Sequence, residues 1–327
     1  MLITKMSEEH LPNIPMFLSE AQNLEEKTLA TKFHLIIEAE LERTRHYDDP
    51  SSPFSTITAI SKTSMKYNRY SDIIPFDRNR VKLHSKRSGN KTDYINASYI
   101  EAPQKVRKYI ATQGPLDNTI EDFWCMIEEQ RSHVIVMLSK EHEKGKVKCS
   151  KYWPDVGGTP FVFQELGLKV ETENEELEPN FSSLIRTFRL EKFNSQGGDI
   201  VETRKVTQLY FVGWPDHGVP DSPDVILNLI KKTNEFQQKY QNESLSGGNG
   251  EIGSPVVHCS AGCGRTGTFC TIDSCLTMLS QFSSDDSSDL INYLVSHFRE
   301  QRRTMVQTLG QFQYCYLAVL SKLVMNK

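Results

Sequence analysis

The sequence predicts an α/β fold, a single domain with a central twisted, mixed β-sheet flanked by helices. Two continuous apolar runs, residues 133–138 (HVIVML) and 254–259 (SPVVHC), are too short for helices and are typical of strands buried on both faces. A tight glycine-containing loop, residues 262–267, follows the second run. Beyond it, apolar residues recur at helical spacing at Phe269, Ile272, Leu276 and Leu279. A strand, a loop and a helix in this order indicate a sheet covered by helices.

The other predicted elements follow from periodicity and from helix-breaking residues. A helix within residues 20–46 has one apolar face, formed by Leu29, Phe33, Ile36, Ile37 and Leu41. Pro and Ser in residues 48–55 end this helix, so we divide the chain into a helical extension, 1–47, and a main domain, 48–327. Further helices are predicted within residues 118–130 and along a final apolar stripe, which comprises Phe312, Cys315, Tyr316, Val319 and Leu323.

Three polar stretches are predicted to be exposed loops: residues 171–180, 242–254 and 283–289. The first is strongly acidic and is a candidate for substrate selection. None has the length of a disordered linker, and the chain has no internal repeat. The pattern therefore favours one domain over two.

Composition places the chain among ordinary globular proteins. Its 327 residues include 38 Lys plus Arg and 42 Asp plus Glu, a formal net charge of −4, with 38% apolar and 24% charged residues. This balance argues against a dedicated nucleic-acid binder, and no apolar stretch is long enough to span a membrane. The seven cysteines lack metal-ligand spacing and the N-terminus lacks a secretory pattern, so we expect a cytoplasmic or nuclear protein.

The most informative segment is VHCSAGCGRTGTF, residues 257–269. Cys259 ends the predicted strand, small residues follow, and Arg265 stands where the helix begins. Backbone N–H groups and a helix N-terminus around one point suit a dianion and lower the pKa of a thiol. The planar guanidinium of Arg265 can bind two phosphate oxygens at once. The pattern predicts a phosphate-binding loop between a strand and a helix, with Cys259 as the nucleophile that attacks phosphorus.

Other interpretations fit less of this segment. A buried structural thiol beside a glycine turn would explain a lone Cys and Arg, but not the whole run H-C-S-A-G-x-G-R-T-G. A zinc site would need a second pair of ligands at the right spacing, and a Walker nucleotide-binding loop would need a Lys. We therefore expect neither a metal nor another cofactor.

The same run resembles the signature loop of the cysteine-dependent, tyrosine-specific protein phosphatases. Further blocks occur in that family's order over about residues 65–325: NRYSDIIPFDRNRV, DYINASYI, YIATQGPL, FW, HVIVML, KCSKYWP, WPDHGVP and QTLGQ. The resemblance implies that residues 48–327 form a protein-tyrosine phosphatase catalytic domain of the non-receptor type. It also implies hydrolysis of phosphotyrosine in proteins through a phosphocysteine intermediate.

The resemblance implies an acid loop and a water-orienting pair. Asp216, in WPDHGVP, would be the general acid and later the base, on a loop that closes over the substrate. Without the neighbouring Cys and Arg, the same W-P-D sequence would suit an exposed β-turn. Gln307, in QTLGQ, would orient the attacking water, with Gln311 assisting, and Thr308 is typical of a helix N-cap.

Four residues are implied to support the nucleophile and the phosphate-binding arginine. Thr266 would offer its hydroxyl to the departing thiolate, and His258 would tune the thiol from a buried position. Glu143 would hold Arg265 in place, although an exposed loop Glu is the alternative. Lys148 would contact the acid loop.

The implied substrate cleft has an aromatic wall and a floor made by the loop. Tyr70 would stack on the phosphotyrosine ring, and Asp72 would accept hydrogen bonds from the peptide backbone beside it. Asn96 and Gln113 are assigned as polar scaffold. The remaining loop residues would contact the phosphate: Ser260, Ala261, Gly262, Cys263 and Gly264.

Two residues depart from the family pattern. Cys263 gives the loop a second thiol, for which a redox role is a minority hypothesis because the loop curvature would point the two sulfurs apart. Thr304 lies where members of the family often have Gly, which would narrow access for a second phosphotyrosine.

Two rival functions remain on the same fold. A catalytically silent phosphotyrosine-binding module would be expected to lack Cys259, Arg265 or Asp216, and all three are present. A phosphoinositide or dual-specificity phosphatase would favour a shallower cleft or extra Lys in the loop. Expected partners are phosphotyrosine proteins, with a mitogen-activated kinase named by family habit only.

Overall fold

The computed structural model describes residues 15–18, 26–85, 87–89, 91–194, 198–215, 218–279 and 288–325. Its strands are short at the centre of the sheet, and the three longest strands lie side by side between the centre and one edge. The strands are β1 (Arg80–Lys82), β2 (Tyr94–Glu101), β3 (Lys108–Thr112), β4 (Val134–Met137), β5 (His142–Glu143), β6 (Lys146–Val147), β7 (Phe161–Phe163), β8 (Leu168–Glu178), β9 (Ser183–Phe193), β10 (Ile200–Phe211) and β11 (Val256–His258).

Within the described part of the chain, nine of these strands form one sheet in the order β1-β2-β3-β11-β4-β10-β9-β8-β7, and β5 and β6 form a separate hairpin. The central strand β11 runs parallel to β3 and to β4, with Val257 opposite Ala111 and Val136. β4 is also parallel to β10, whereas the outer pairs are antiparallel. The predicted mixed sheet is confirmed.

Helices cover the sheet, as the sequence predicted. They are α1 (Glu26–Arg43), the single turn α2 (Ile57–Ile60), α3 (Ile120–Glu129), α4 (Asp224–Ser246), α5 (Gly264–Leu279), α6 (Leu290–Arg299) and α7 (Leu309–Met325). The helices predicted within 118–130, after the glycine loop and along the final apolar stripe are α3, α5 and α7. No helix in the described ranges is long and apolar enough to cross a membrane.

The position of β4, with a core on each face of the sheet, explains why its sequence is a continuous apolar run. Val134 and Val136 pack into a core with α1 and α4 to α7 on one face of the sheet. Ile135 and Met137 pack into a second core with α3 on the other face. Because successive side chains point to opposite faces, both sets must be apolar when both faces are covered. The thiol-bearing loop begins at the centre of this doubly covered sheet.

The predicted apolar face of α1 is partly wrong. Leu29, Phe33 and Ile36 are buried, but Leu41 is 61% exposed. The buried position at this end of the helix belongs instead to Glu40, which is 6% exposed and forms an ion pair with Arg299 of α6. The apolar periodicity predicts that Leu41 is buried at this end of the helix, but the buried side chain is the ion-paired carboxylate of Glu40. The domain boundary after residue 47 stays a prediction.

The predicted polar loops need correction. Most of residues 171–180 belongs to β8, paired with β9, and the acidic side chains face cations across the ladder in the pairs Glu171–Arg189 and Glu175–Arg186. Such cross-strand pairs stabilise a strand that composition alone does not reveal. Residues 242–246 continue α4, and only the following residues form a loop.

The third predicted loop, 283–289, lies largely outside the described residues, which resume at 288. Asp289 is the N-cap of α6, where its carboxylate accepts the N–H of Asn292 at 3.0 Å. It also accepts the hydroxyl of Tyr316 and the ammonium of Lys32, each at 2.7 Å at the nearer oxygen. This end of the stretch is thus a tertiary contact point between α1, α6 and α7.

Candidate active site

The segment from Cys259 to Arg265, which we call the thiol loop, leaves the carboxyl end of β11 and enters α5. Gly262 has a φ of +72°, which residues with a Cβ rarely adopt, and a Cβ there would lie 2.1 Å from the carbonyl oxygen of Thr112. The loop backbone therefore lies directly against β3. Cys259 is 6% exposed.

Hydrogen-bond donors converge on the Cys259 sulfur. The N–H of Gly262 lies 3.3 Å from Sγ, and the hydroxyl of Thr266 lies 3.4 Å from it. Burial raises the pKa of this thiol, but the Thr266 hydroxyl, the charge of Arg265 and the backbone N–H groups of Thr266 and Cys263 lower it by more. The net pKa lies below the ordinary value for cysteine, so the loop favours a thiolate.

The guanidinium of Arg265 is fixed by a bidentate ion pair with Glu143 of β5. Nη1 donates to Oε1 at 2.5 Å and Nη2 donates to Oε2 at 3.0 Å, and the carboxylate is buried. The carbonyl oxygens of Leu138 and Pro215 accept further bonds at 3.0 and 3.3 Å. This geometry holds the planar fork of Arg265 at the mouth of the loop.

A second arginine, Arg302, supports the same loop from behind, and the sequence analysis missed it. Its fully buried guanidinium donates to the carbonyl oxygens of Gly262 at 2.7 Å and Ala261 at 2.9 Å, and to the side chain of Asn96 at 2.7 Å. By holding these carbonyls on the outer side, Arg302 favours N–H groups that point inward. The only sequence signal was the adjacent pair Arg302 and Arg303, which does not reveal which one is buried.

His258 lies at the end of a chain of buried hydrogen bonds. Its Nδ1 faces the carbonyl oxygen of Cys259 at 3.1 Å, and its Nε2 faces the hydroxyl of Tyr152 at 2.8 Å. That hydroxyl accepts a bond from Gln208 at 2.6 Å. Burial lowers the pKa of His258 to about 4, so the ring is neutral at physiological pH. The bonds fit a neutral ring that donates through Nδ1 and accepts through Nε2.

A cavity of about 390 Å³ opens above the thiol loop. The structure brings most of the predicted site residues to its wall: Tyr70, Asp72, Glu143, Lys148, Cys259, Ser260, Ala261, Cys263, Gly264, Arg265, Gln307 and Gln311. Three further predicted residues contact or adjoin the sulfur from within the protein instead, namely Gly262, Thr266 and His258. The candidate site is therefore one cleft with the thiol at its floor.

The aromatic residue of the cleft, Tyr70, is hydrogen-bonded to the thiol loop. The hydroxyls of Tyr70 and Ser260 lie 2.8 Å apart, and Ser260 also donates to the carbonyl of Lys148 at 2.9 Å. The side-chain oxygen of Gln113 accepts the N–H of Arg69, the residue before Tyr70, at 2.8 Å. These contacts set the position of the Tyr70 ring relative to Cys259.

The two glutamines meet at the start of α7. Gln311 is buried, and its Oε1 accepts the N–H of Gln307 at 2.9 Å and of Thr308 at 3.3 Å. Thr308 in turn accepts the N–H of Gln311 through its hydroxyl at 3.2 Å, so the predicted N-cap is confirmed. The side chain of Gln307 is exposed to the cleft.

Asp216, the predicted general acid, lies outside the described residues. Its flanks are described. The indole N–H of Trp214 donates to the carbonyl of Gly218 at 3.1 Å, and the Trp214 ring lies 5.8 Å from the guanidinium of Arg265. The segment that carries Asp216 therefore begins and ends beside the thiol loop.

The two departures from the family pattern have different surroundings. Cys263 is completely buried, and burial together with the charge of Cys259 raises the pKa of its thiol to about 12. A redox role for Cys263 stays a prediction. Thr304 adopts a φ of +62°, in the left-handed region that favours glycine.

Comparison with known proteins identifies the family. The family model described as protein-tyrosine phosphatase matches residues 64–321. The chain belongs to the protein-tyrosine phosphatase family. Human tyrosine-protein phosphatase non-receptor type 12 is 39% identical over 266 residues, which cover 81% of this chain and 31% of that relative.

Two other similar proteins are also tyrosine-protein phosphatases of the non-receptor type. Rat tyrosine-protein phosphatase non-receptor type 2 is 37% identical over 253 residues, covering 77% of this chain and 55% of its own length. Tyrosine-protein phosphatase non-receptor type 61F of Drosophila melanogaster is 35% identical over 267 residues, which cover 82% of this chain and 45% of that relative. This phosphatase-family chain thus spans between about a third and just over half the length of these relatives.

Proposed function

We propose that this chain hydrolyses phosphotyrosine in proteins through a phosphocysteine intermediate. In this proposal Cys259 is the nucleophile, Arg265 binds the phosphate and Asp216 is the general acid and base. The observation that carries the proposal is the lowered pKa of a thiol that shares a cleft with a guanidinium held by a buried carboxylate. Membership of the phosphatase family supports it.

In the first step the Cys259 thiolate attacks phosphorus. A sulfur–phosphorus bond forms as the bond to the tyrosine oxygen breaks, and Asp216 gives its proton to that oxygen. Arg265 and the inward N–H groups of the thiol loop stabilise the charge that develops on the phosphoryl oxygens. The products are a protein substrate with an unphosphorylated tyrosine side chain and a phosphocysteine at position 259.

In the second step water attacks the phosphocysteine. Gln307 orients this water, Gln311 holds the backbone of Gln307, and the ionised Asp216 takes the water's proton. The sulfur–phosphorus bond breaks and the thiolate returns, stabilised by the hydroxyl of Thr266. An amide suits the role of Gln307 because it holds water without acting as a nucleophile.

The shape of the cleft favours phosphotyrosine over phosphoserine. Cys259 is only 6% exposed and lines the same cleft as Tyr70, so the long phenyl group reaches its thiol more readily than a short serine side chain. Asp72 on the rim supplies an acceptor for the substrate backbone. A mitogen-activated kinase as substrate, and a cytoplasmic or nuclear location, stay predictions from the sequence.

A rapid-quench experiment tests the proposal. The chain is mixed with a ³²P-labelled phosphotyrosine peptide, denatured within milliseconds and digested, and the labelled peptide is identified by mass spectrometry. We expect label on Cys259 in the native protein and none in Cys259→Ser, which should still bind the peptide. In Asp216→Ala we expect turnover to fall by about 10²–10⁴, the usual loss of general-acid catalysis. Turnover by Cys259→Ser, or label on another residue, would refute the assignment.

A further inference from the structure

The turn that joins α6 to α7, residues 303–306, has an unusual backbone. Thr304 has a φ of +62° and Val306 has a φ of +59°. Both side chains are branched at Cβ, and such residues avoid the left-handed region more strongly than others. Backbone strain of this kind persists only where the surrounding structure enforces it, so contacts around the turn must hold it.

One of these contacts comes from the N-terminal extension. The carboxylate of Glu40, on α1, accepts the N–H of Thr304, at 3.1 Å for Oε1 and 3.3 Å for Oε2. Glu40 is only 6% exposed and lies 264 positions from Thr304 in the sequence. The strained residue is thus held directly by a buried charge from a distant helix.

Arg299 joins the carboxylate of Glu40 to the rest of the turn. Its Nη1 donates to Glu40 at 3.0 Å, Nε donates to the carbonyl of Met305 at 2.9 Å, and Nη2 donates to the carbonyl of Val306 at 2.7 Å. Arg299 is buried, and its guanidinium lies 5.2 Å from the ring centre of Phe33 on α1. Removing the Glu40 carboxylate would leave this buried cation without its counter-ion.

The other side of the turn rests on the thiol loop. The N–H of Val306 donates to the carbonyl of Cys263 at 3.3 Å. Gly267 approaches so closely that a Cβ on it would lie 2.3 Å from the nitrogen of Val306. The next residue in the chain is Gln307, whose side chain lines the cleft. The position of this side chain is therefore set by a turn clamped between α1 and the thiol loop.

We propose that Glu40 is a positioning residue for the second step of the reaction: through Arg299 and the N–H of Thr304 it holds the strained turn that presents Gln307 to the attacking water. The inference rests on the proposed function. It makes α1 part of the catalytic unit, although no residue of α1 lines the described cleft.

Stopped-flow kinetics with p-nitrophenyl phosphate separate the two steps. The burst of p-nitrophenolate reports formation of phosphocysteine, and the steady rate that follows reports its hydrolysis. In Glu40→Ala we expect hydrolysis to slow by about 10- to 100-fold, the cost of a small misplacement, with the burst rate within about twofold of the native value. Phosphocysteine should accumulate. Glu40→Gln, which keeps one acceptor oxygen, should show a smaller effect of the same kind.

Two further variants make the test specific. In Glu40→Ala/Thr304→Gly the glycine adopts a positive φ without steric cost, so we expect the hydrolysis rate to recover at least partly. Glu42→Ala, an exposed carboxylate on the same helix, should behave like the native chain. The inference would be overturned if both Glu40 variants slowed the formation and the hydrolysis of phosphocysteine to the same extent. It would also be overturned if Thr304→Gly restored none of the hydrolysis rate lost in Glu40→Ala. Either result would show that Glu40 acts only on stability.

The native chain separates this inference from the function on which it rests. A native chain that forms no phosphocysteine would refute the proposed function. A native chain that forms it, with a Glu40→Ala variant that hydrolyses it at the native rate, would refute the role of Glu40 alone.

Discussion

The floor of the cleft and its rim are held in place by different means. At the floor, the thiol loop is bonded on its protein side to fully buried groups, including the guanidinium of Arg302, the ring of His258 and the hydroxyl of Thr266. At the rim, Asp72 is exposed to solvent. The floor therefore has its working shape before any ligand arrives, whereas rim side chains are free to adjust.

This difference separates two kinds of contribution to activity. Buried donors that need no reorganisation stabilise developing charge most strongly, so the floor should govern the chemical steps. Exposed rim groups compete with water for every hydrogen bond, so they should govern which peptides bind and contribute less energy. Substitutions in the two regions should differ in size and in the kinetic constant that they change.

Of the substitutions that test this difference between floor and rim, Arg265→Lys at the floor should have the largest effect. Lysine keeps the charge but loses the planar pair of donors, and it leaves the carboxylate of Glu143 without its bidentate partner. We expect kcat/KM to fall by about 100- to 1,000-fold, as when one donor to a developing anion is lost. Arg131→Lys, at the opposite end of β4, is the matched control. A change of less than tenfold in Arg265→Lys would show that charge alone is enough.

A smaller effect is expected from Thr266→Ala. The hydroxyl lowers the pKa of Cys259, so removing it should raise that pKa. A hydrogen bond to a charged group contributes roughly 1.5–3 kcal/mol, and one pKa unit equals about 1.4 kcal/mol, so we expect the pKa of Cys259 to rise by about one to two units. The thiolate absorbance at 240 nm, followed against pH, measures it. Thr268→Ala, on the same helix but bonded to the carbonyl of Gly264, should leave the curve unchanged.

The smallest effect is expected at the rim, from Asp72→Ala. Loss of one exposed hydrogen bond to a peptide, worth about 1 kcal/mol, should raise KM for a phosphotyrosine peptide about fivefold. The kcat for the peptide and both constants for p-nitrophenyl phosphate should not change, since the small substrate has no backbone to bind. Asp117→Ala is an exposed control outside the cleft. A fall in kcat for the small substrate would show that the rim also shapes the chemistry.

Features that depend on near neighbours in sequence could be predicted. The strands β4 and β11, the helix α5 and the cap at Thr308 each follow from a few adjacent residues. The thiol loop is equally local, because one short segment contains the thiol, the guanidinium and the small residues between them. The sequence accordingly indicated both the centre of the fold and most residues that line the cleft.

Features that depend on distant partners could not be predicted. Glu40 and Arg302 look like surface charges, but both are buried, because each pairs with groups far away in the sequence. Glu40 pairs with Arg299, 259 positions away, and Arg302 pairs with Asn96, 206 positions away, and with two carbonyls of the thiol loop. The acidic stretch that forms β8 has the composition of a loop. It forms a strand because arginines on the neighbouring strand β9 pair with its carboxylates, and this pairing is not visible in the local sequence. Apolar periodicity likewise placed Leu41 in the core, because it gives no weight to a carboxylate that finds a counter-ion.

The surroundings of the seven cysteines give the molecule an inherent chemical selectivity. All seven are free and buried, but the pKa is lowered only at Cys259, whereas burial raises it at Cys125, Cys149, Cys263, Cys270, Cys275 and Cys315. Near neutral pH a mild electrophile would therefore find one reactive sulfur in the whole chain. A fluorescent haloacetamide could report how many molecules in a mixture have an intact, unoccupied cleft, with no engineered cysteine needed.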